Sequence, residues 1–486
     1  MQLIVSNSFT TISGNIPKEA KDLLTEVLTY RNDIDAEKAA CFYRMQNAKR
    51  YNNLKGYNIA KARIAYLEKT EYVCLIKDNK FPTGLLNIVK ATLEEVCTPF
   101  EVQDRREIPS SSQILRWNNK PFEPRYYQKE MIRLGLEAGR GVFSSCVGSG
   151  KTCILAYLIK ELAVTNLIIV PSRGLSLQLY SDFEEWFGST NVEILDAKKI
   201  RLNKRPKAIN IITVQSLASL QKSGEFQKFA LQMEALFIDE AHHSSAESYL
   251  TLLPDLDHIY YRFSFSGTYL RQGADILALW GVASNILYEY PAWKATQEGY
   301  LTPLEVLVHQ IPGRPITKYQ KEYEESYSGN PAVLNKILEI IENVELDNQV
   351  LILVSQKDKV GLVISEYLTT HGVICSYING DDSKELINNT INEFNEKLVR
   401  ILIGSSVIGE GINIKSTDHL INCVGGKSEI LCVQNAGRAI RKFEGKSIAY
   451  LHDFFFEGTN YLARHLENRL EIYIRNFNCK IKDLRF

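Results

Sequence analysis

Ser145-Cys-Val-Gly-Ser-Gly-Lys-Thr152 is the stretch from which the rest of the chain is best read. An apolar run at 142–144 precedes it and a helix-like run at 153–162 follows it. That is the strand–loop–helix setting of a phosphate-binding loop. Gly148 and Gly150, on either side of Ser149, let backbone N–H groups turn inward toward phosphate oxygens. The N-terminus of the following helix adds partial positive charge. Lys151 would neutralise the β- and γ-phosphates of ATP, and Thr152 would hold Mg²⁺. The general pattern GxxxxGK[ST] has glycine where this chain has Ser145.

Further along, Ala235-Leu-Phe-Ile-Asp-Glu-Ala-His-His243 is an apolar run ending in two adjacent carboxylates. A strand ending there places Asp239 at the carboxyl edge of a sheet, where open α/β folds bind ligands. Asp239 would hold Mg²⁺ through water, and Glu240 would polarise an attacking water as general base. His242 would couple the nucleotide to a second ligand, or else cap and pack locally.

Short apolar runs alternate with helix-like stretches from 128 to 288. The pattern breaks near 291–303 and restarts with runs at 350–354, 373–378, 400–403, 419–424 and 446–451. Such alternation predicts βαβ units and parallel sheets. The expected fold class is therefore α/β, with two tandem parallel-sheet domains, 106–300 and 301–486, joined by a connector around 293–315. Residues 1–105 read as a small α+β domain, with strands at 1–5 and 72–76 and helices at 17–29 and 85–96. Between these elements, Arg44, Lys49, Arg50, Lys55, Lys61 and Arg63 interleave with Tyr43, Tyr51, Tyr57 and Tyr66. They read either as a phosphate- and base-binding surface or as a solvated face over core tyrosines. At the other end, Leu462, Leu466, Leu470 and Ile474 recur at helical spacing and predict a cap on the second unit. Arg464, His465, Arg469 and Arg475 on the same stretch are the alternative, a nucleic-acid contact.

The 486 residues leave room for about three domains. Fifty-seven basic and 57 acidic residues cancel, so local charge must carry any case for a polyanionic partner. Nine scattered cysteines with no CxxC pair point away from zinc sites and disulfide frameworks, and toward reduced thiols inside a cell. No signal peptide is read at the start, and no apolar stretch approaches the ~20 residues that cross a bilayer.

With these residues in place, the chain resembles superfamily 2 helicases of the DEAH-like kind over roughly 125–453. The resemblance implies two RecA-like domains. It also implies that in Arg125-Tyr-Tyr-Gln-Lys129 the Gln128 side chain reads the adenine edge while Tyr127 packs on the ring. Pro171-Ser-Arg-Gly-Leu-Ser-Leu-Gln178 would hold nucleic-acid phosphates through Ser172 and Arg173. Thr213-Val-Gln-Ser-Leu217 would grip the backbone through Thr213 and Gln215. Ser266-Gly-Thr268 would join His242 in coupling hydrolysis to domain closure, through Ser266 and Thr268. In Gly404-Ser-Ser-Val-Ile-Gly-Glu-Gly-Ile-Asn413, Ser405 would meet a phosphate and Gly411 would allow close approach. Asn413 would reach the ribose, where many relatives carry Asp. Gln434-Asn-Ala-Gly-Arg-Ala-Ile-Arg441 resembles the QxxGRxxR segment, and on a helix Gln434, Arg438 and Arg441 share one face. Arg441 is the expected arginine finger, with Arg438 beside it; such groups are worth roughly 10³–10⁵ in rate.

The layout also resembles the UvsW-type phage recombination helicases and the branch-migration helicases of T5-like phages. The fit rests on Tyr127-Gln-Lys129, on Phe263-Ser-Phe-Ser-Gly-Thr268 and on the order of the N-terminal elements. That group remodels forks, Holliday junctions and displacement loops. The resemblance implies ATP and Mg²⁺ as cofactors, and branched or forked DNA (also single- and double-stranded DNA) as partner. It implies no membrane, a monomeric state, recombination or single-strand-binding proteins as associates, and the cytoplasm, the host's if the chain is phage-encoded. Residues 1–105 would bind duplex or act as a wedge. An RNA helicase, the motor subunit of a restriction-type complex and an ATP-switched clamp are the alternatives.

Overall fold

A computed structural model describes residues 1–32, 34–196, 205–240, 249–267, 274–405, 414, 417–443 and 445–484. Among the described residues the chain forms two seven-stranded parallel sheets, a four-stranded mixed sheet and a two-stranded ribbon. The expected pair of parallel-sheet units behind a small α+β unit is present.

The first large sheet runs, in spatial order, Ile286–Tyr290, Arg140–Ser145, Tyr261–Ser266, Ala235–Ile238, Asn166–Val170, Ile209–Thr213 and Val192–Leu195. Asn166–Val170 and Ala235–Ile238 are buried at every residue, as strands covered by helices on both faces must be. This order sets three strand ends side by side: the phosphate loop, Gly267 and the Asp239–Glu240 pair therefore share one edge.

The second sheet runs Ser376–Ile378, Ile401–Gly404, Val350–Val354, His419–Cys423, Ala449–Glu457, Leu304–Pro312 and Lys480–Asp483. Leu304–Pro312 falls within the stretch expected to be a connector. It pairs along its whole length with Ala449–Glu457. Flanking prolines and glycines obscured its alternating pattern. Three buried histidines cross neighbouring strands of this sheet: His309 Nε2 lies 3.0 Å from His452 Nδ1, and His452 Nε2 lies 3.0 Å from His419 Nδ1. Burial pulls the pKa of all three down, so they stand as neutral hydrogen-bonded rings.

The N-terminal sheet runs Lys80–Pro82, Phe9–Ser13, Gln2–Val5 and Glu101–Asp104. Leu3, Ile12, Leu24, Phe81, Leu85 and Val89 form its core. The strand read near 72–76 pairs instead with Thr29–Arg31, and the two frame a helical hairpin, Asp35–Arg50 and Leu54–Lys69. Buried arginines fasten this unit to the first large sheet. Arg262 donates to Ser8 Oγ at 2.7 Å and to the Leu256 carbonyl at 2.6 Å. Arg140 donates to the Asn7 carbonyl at 2.9 Å. A Cβ on Gly84 would fall 1.8 Å from the Trp280 carbonyl oxygen, so only glycine permits this approach.

Helix Leu462–Phe477 packs on the second unit through Leu462, Leu466, Tyr473 and Phe477. Two details differ from the sequence reading. Ile474 is half exposed, and Arg469 is buried. Arg469 forms a fork with Asp453, Nε to Oδ2 at 2.8 Å and Nη2 to Oδ1 at 2.7 Å, so it is a core residue rather than a nucleic-acid contact. No described helix is long and apolar enough to cross a membrane.

Removing one partner of a buried ion pair strands the other charge. Arg469→Ala is expected to lower stability by about 3–5 kcal/mol, read as a fall in denaturant midpoint. An unchanged midpoint would mean that the pair contributes nothing to the stability of the fold.

Candidate active site

Strand Arg140–Ser145 delivers the chain into the loop, and helix Lys151–Leu162 carries it away. Gly148 and Gly150 sit at φ +83° and +79°, the left-handed region that glycine enters without strain. The loop is held from below. Ser149 is buried, and its carbonyl accepts from Tyr127 Oη at 2.7 Å and from Gln128 Nε2 at 2.8 Å. Gln128 Oε1 accepts from the Arg125 N–H at 2.8 Å, closing the start of helix Tyr126–Ala138. Both ends of the Gln128 amide are thus committed to the loop and to its own helix. Tyr127 is fully buried, its ring stacked on Tyr290 at 3.8 Å. It supports the loop and has no face left open for an adenine ring. An open aromatic does stand nearby: Phe122 is 55 % exposed, with its ring edge 3.7 Å from where a Gly150 Cβ would be. Sequence reasoning missed it because it lies outside the Arg125–Lys129 segment.

Opposite the loop, Lys151 Nζ lies 3.0 Å from Glu240 Oε1, with both side chains mostly withdrawn from water. Glu240 Oε2 also accepts from the Gly267 N–H at 3.3 Å. A Cβ on Gly267 would come within 2.8 Å of Lys151 Nζ. Glu240 holds a left-handed backbone, φ +47°, an uncommon conformation for a side-chain-bearing residue and one that clusters at functional sites. Its N–H donates to Asp239 Oδ1 at 3.0 Å. Burial, and then the Glu240 charge, push the Asp239 carboxyl up to about 7 against the pull of Lys151. Burial opposes the charge on Lys151, but Glu240 and Asp239 outweigh it and raise its pKa. Thr152 is the second residue of the loop helix and half-buried.

The second domain closes on the same loop. Helix Glu429–Ala439 carries Gln434 and the buried Arg438. A Cβ on Gly437 would be 2.8 Å from Val147 Cβ, so helix backbone rests directly on the phosphate loop. Arg441 lies past the helix end at Ala439, not on one helical face with Gln434 and Arg438 as expected. It bridges to Leu301 on the interdomain linker, and its Nη1 donates to the Ile414 carbonyl at 3.0 Å. Its Cγ is 3.9 Å from where a Gly148 Cβ would be. A cavity of about 330 Å³ remains between the domains, with Ser145, Val147, Gly267, Lys294 and Arg475 on its walls. A larger one, about 830 Å³, lies at the far end of the second domain beside Leu346 and Ile374, away from all of these groups.

The gripping candidates fall on the same edge of the first sheet. Ser172 Oγ caps helix Arg173–Phe187 by accepting from the Leu175 N–H at 3.3 Å. Thr213 Oγ1 caps helix Val214–Ser223 by accepting from the Ser216 N–H at 3.2 Å. Each cap sets a helix N-terminus, a ready anion site, at this edge. Arg173 and Gln215 are exposed there. Ser266 is buried in the strand beside the phosphate-loop strand, and Ser405 is buried at the end of its own strand. His242, Thr268, Gly411 and Asn413 lie outside the described residues.

Residues 121–271 match the family described as Type III restriction enzyme, res subunit, and residues 332–443 match the Helicase conserved C-terminal domain. The chain is a superfamily 2 helicase. As such it is an ATP-hydrolysing enzyme with a nucleic-acid substrate. It is 26 % identical over 408 residues to the ATP-dependent DNA helicase uvsW of Enterobacteria phage T4, covering 75 % of this chain and 78 % of that one. The crystal structure of T4 UvsW aligns over 100 % of this chain and 99 % of its own, at 19 % identity and a TM-score of 0.45. The Mycobacterium smegmatis helicase Lhr, solved with ssDNA and AMP-PNP, shares the fold at a TM-score of 0.52 and 17 % identity, over 75 % of this chain and 49 % of its own.

In this helicase Phe122 is an exposed ring beside the phosphate loop, and covering a bound base is its expected role. Phe122→Ala is expected to raise the KM for ATP roughly fivefold with little change in kcat, measured by ATP titration of steady-state hydrolysis. An unaltered KM would remove Phe122 from the nucleotide site.

Proposed function

We propose that the chain is an ATP-driven DNA translocase that remodels branched DNA by branch migration, fork reversal and unwinding. The observation that carries this reading is the division of the site. Lys151, Asp239 and Glu240 stand on the first domain, while Gly437 and Arg441 reach the same loop from the other, with Arg438 next to Gly437 on its helix. A ligand that needs both sets of groups draws the domains together, and its hydrolysis releases them. The T4 relative, an ATP-dependent DNA helicase, supports DNA as the track.

The residues fit a Mg²⁺-nucleotide. Gly148 and Gly150 hold the left-handed backbone that turns a phosphate loop inward, and Asp239 offers a buried carboxylate beside Glu240 and Lys151. In this reading Thr152 and Asp239 would hold the metal, largely through water, and it would supply positive charge to the phosphates. An arriving γ-phosphate competes with Glu240 for Lys151. Glu240 is thereby freed to accept a proton from water as the water oxygen bonds to the γ-phosphorus and the bond to ADP breaks. Arg438 and Arg441 stabilise the charge that spreads over the γ-oxygens, with Gln434 positioning water beside them. Ser172, Arg173, Thr213 and Gln215 hold the DNA backbone on the first domain and Ser405 holds it on the second. Residues 1–105 contact the duplex ahead of the motor.

The test is ATP hydrolysis with fork DNA, linear duplex, single-stranded DNA and matched RNA, for wild type and Glu240→Gln. Fork DNA is expected to stimulate most, and Glu240→Gln to lower the stimulated rate by about 10²–10⁴. Stimulation by RNA alone, or by no nucleic acid, would contradict the proposal.

A further inference from the structure

From Lys38 to Leu67 the chain contains no carboxylate, in a protein whose charges cancel overall. This stretch is most of the hairpin of helices Asp35–Arg50 and Leu54–Lys69. The acidic residues of the hairpin sit at its base and are paired there: Asp35 with Arg31 at 3.1 Å, Glu37 with Arg63 at 2.7 Å, Glu68 with Lys38 at 3.1 Å. Beyond the base come Arg44, Lys49, Arg50, Lys55 and Lys61, all exposed. Like charges packed on one arm repel and gain nothing for the fold; they suit a polyanion.

The apolar residues show the same division. Cys41, Ala48, Ala60, Ile64 and Leu67 are buried and are sufficient for the seam between the helices. Tyr51 and Leu54, at the turn, are 76 % and 74 % exposed, and Tyr43 and Tyr66 are 60 % and 53 % exposed. Asn53 caps the second helix by accepting from the Gly56 N–H at 2.9 Å, so the turn is shaped without using Tyr51 or Leu54. Exposed rings between cations are the pattern that stacks on bases while holding phosphates.

The arm is rooted in the motor. Tyr30, Val73 and Leu75 at its base pack into the core of the first motor domain with Leu252, Leu279 and Val282. Two helices of 16 residues carry the tip about 24 Å from that root. Asn47, and then the Lys318 ammonium, hold the Tyr43 phenol below its ordinary pKa. The arm therefore runs within electrostatic reach of the second motor domain.

We infer that this hairpin is a second DNA site: its basic flanks hold backbone phosphates outside the motor cleft, and Tyr51 at its tip stacks on a base left unpaired at a branch point. This rests on the reading of the chain as a motor on branched DNA. The experiment uses the full chain and fluorescence anisotropy with a fork carrying unpaired bases, a blunt duplex and a matched RNA fork, over a salt series. The charge-reversed Lys49→Glu/Arg50→Glu/Lys55→Glu is expected to bind the fork at least about tenfold more weakly and to lose about two to three from the slope of log affinity against log salt. Tyr51→Ala is expected to lose about tenfold on the fork and much less on the blunt duplex. Both should keep DNA-independent ATP hydrolysis. Lys49→Gln/Arg50→Gln/Lys55→Gln, a milder change at exposed positions, should show a smaller loss in the same direction. Wild-type affinity and salt slope in all three variants, or a loss confined to RNA, would overturn the inference while leaving a fork-stimulated motor intact. A wild type that neither binds forks nor is stimulated by them would overturn both.

Discussion

One ammonium and two carboxylates, all withdrawn from water, share a single small volume at the edge of the first sheet. Lys151 is paired with Glu240, and Asp239 lies beneath them with a raised pKa. Separating any of these charges from its partners in a low-dielectric pocket is costly. The group that can do so must bring compensating charge of its own, as a phosphate with its metal does. In the proposed mechanism the pairing keeps Glu240 engaged until substrate arrives, and ties activation of water to occupation of the phosphate loop. The left-handed backbone at Glu240 is explained by the same need, since it turns the carboxylate back toward Lys151 and the Gly267 N–H.

Everything around that volume serves to hold it against the second domain. Tyr127 and Gln128 brace the loop at the Ser149 carbonyl, Tyr290 braces Tyr127, and Glu298 accepts from Tyr290 Oη at 2.6 Å. From the far side, Gly437 allows a helix to press on Val147. Helix backbone at Gly437 facing Val147 makes the interdomain contact sensitive to shifts of less than a side-chain width. The N-terminal unit is fastened by Arg140 and Arg262 to the same sheet, so the hairpin arm is rooted in the body that carries the phosphate loop.

Much of this was legible in the sequence, and the reasons are local. A phosphate loop needs glycines, a lysine and a hydroxyl in fixed order, and a parallel strand buried on both faces needs an unbroken apolar run; both leave marks that one segment carries alone. What escaped was carried between segments. Leu304–Pro312 is a strand because Ala449–Glu457 lies beside it. The hairpin helices escaped because most of their apolar residues are turned to solvent, leaving only a thin buried seam. Arg441 escaped its helix because the chain leaves helical geometry at Ala439 to meet Leu301. Gln128 and Tyr127 carried the right residue types for a base contact, but Tyr127 Oη and Gln128 Nε2 are engaged by the loop above them and Gln128 Oε1 by the start of its own helix.

The central claim is that neither domain completes the site alone. Single-turnover hydrolysis by Arg441→Ala, measured beside nucleotide binding by the same variant, tests it most directly. Binding within a few-fold of wild type is expected, with hydrolysis slower by about 10³ or more. Hydrolysis within about tenfold of wild type, a barrier change of about 1.4 kcal/mol, would contradict it and place the chemistry on the first domain alone.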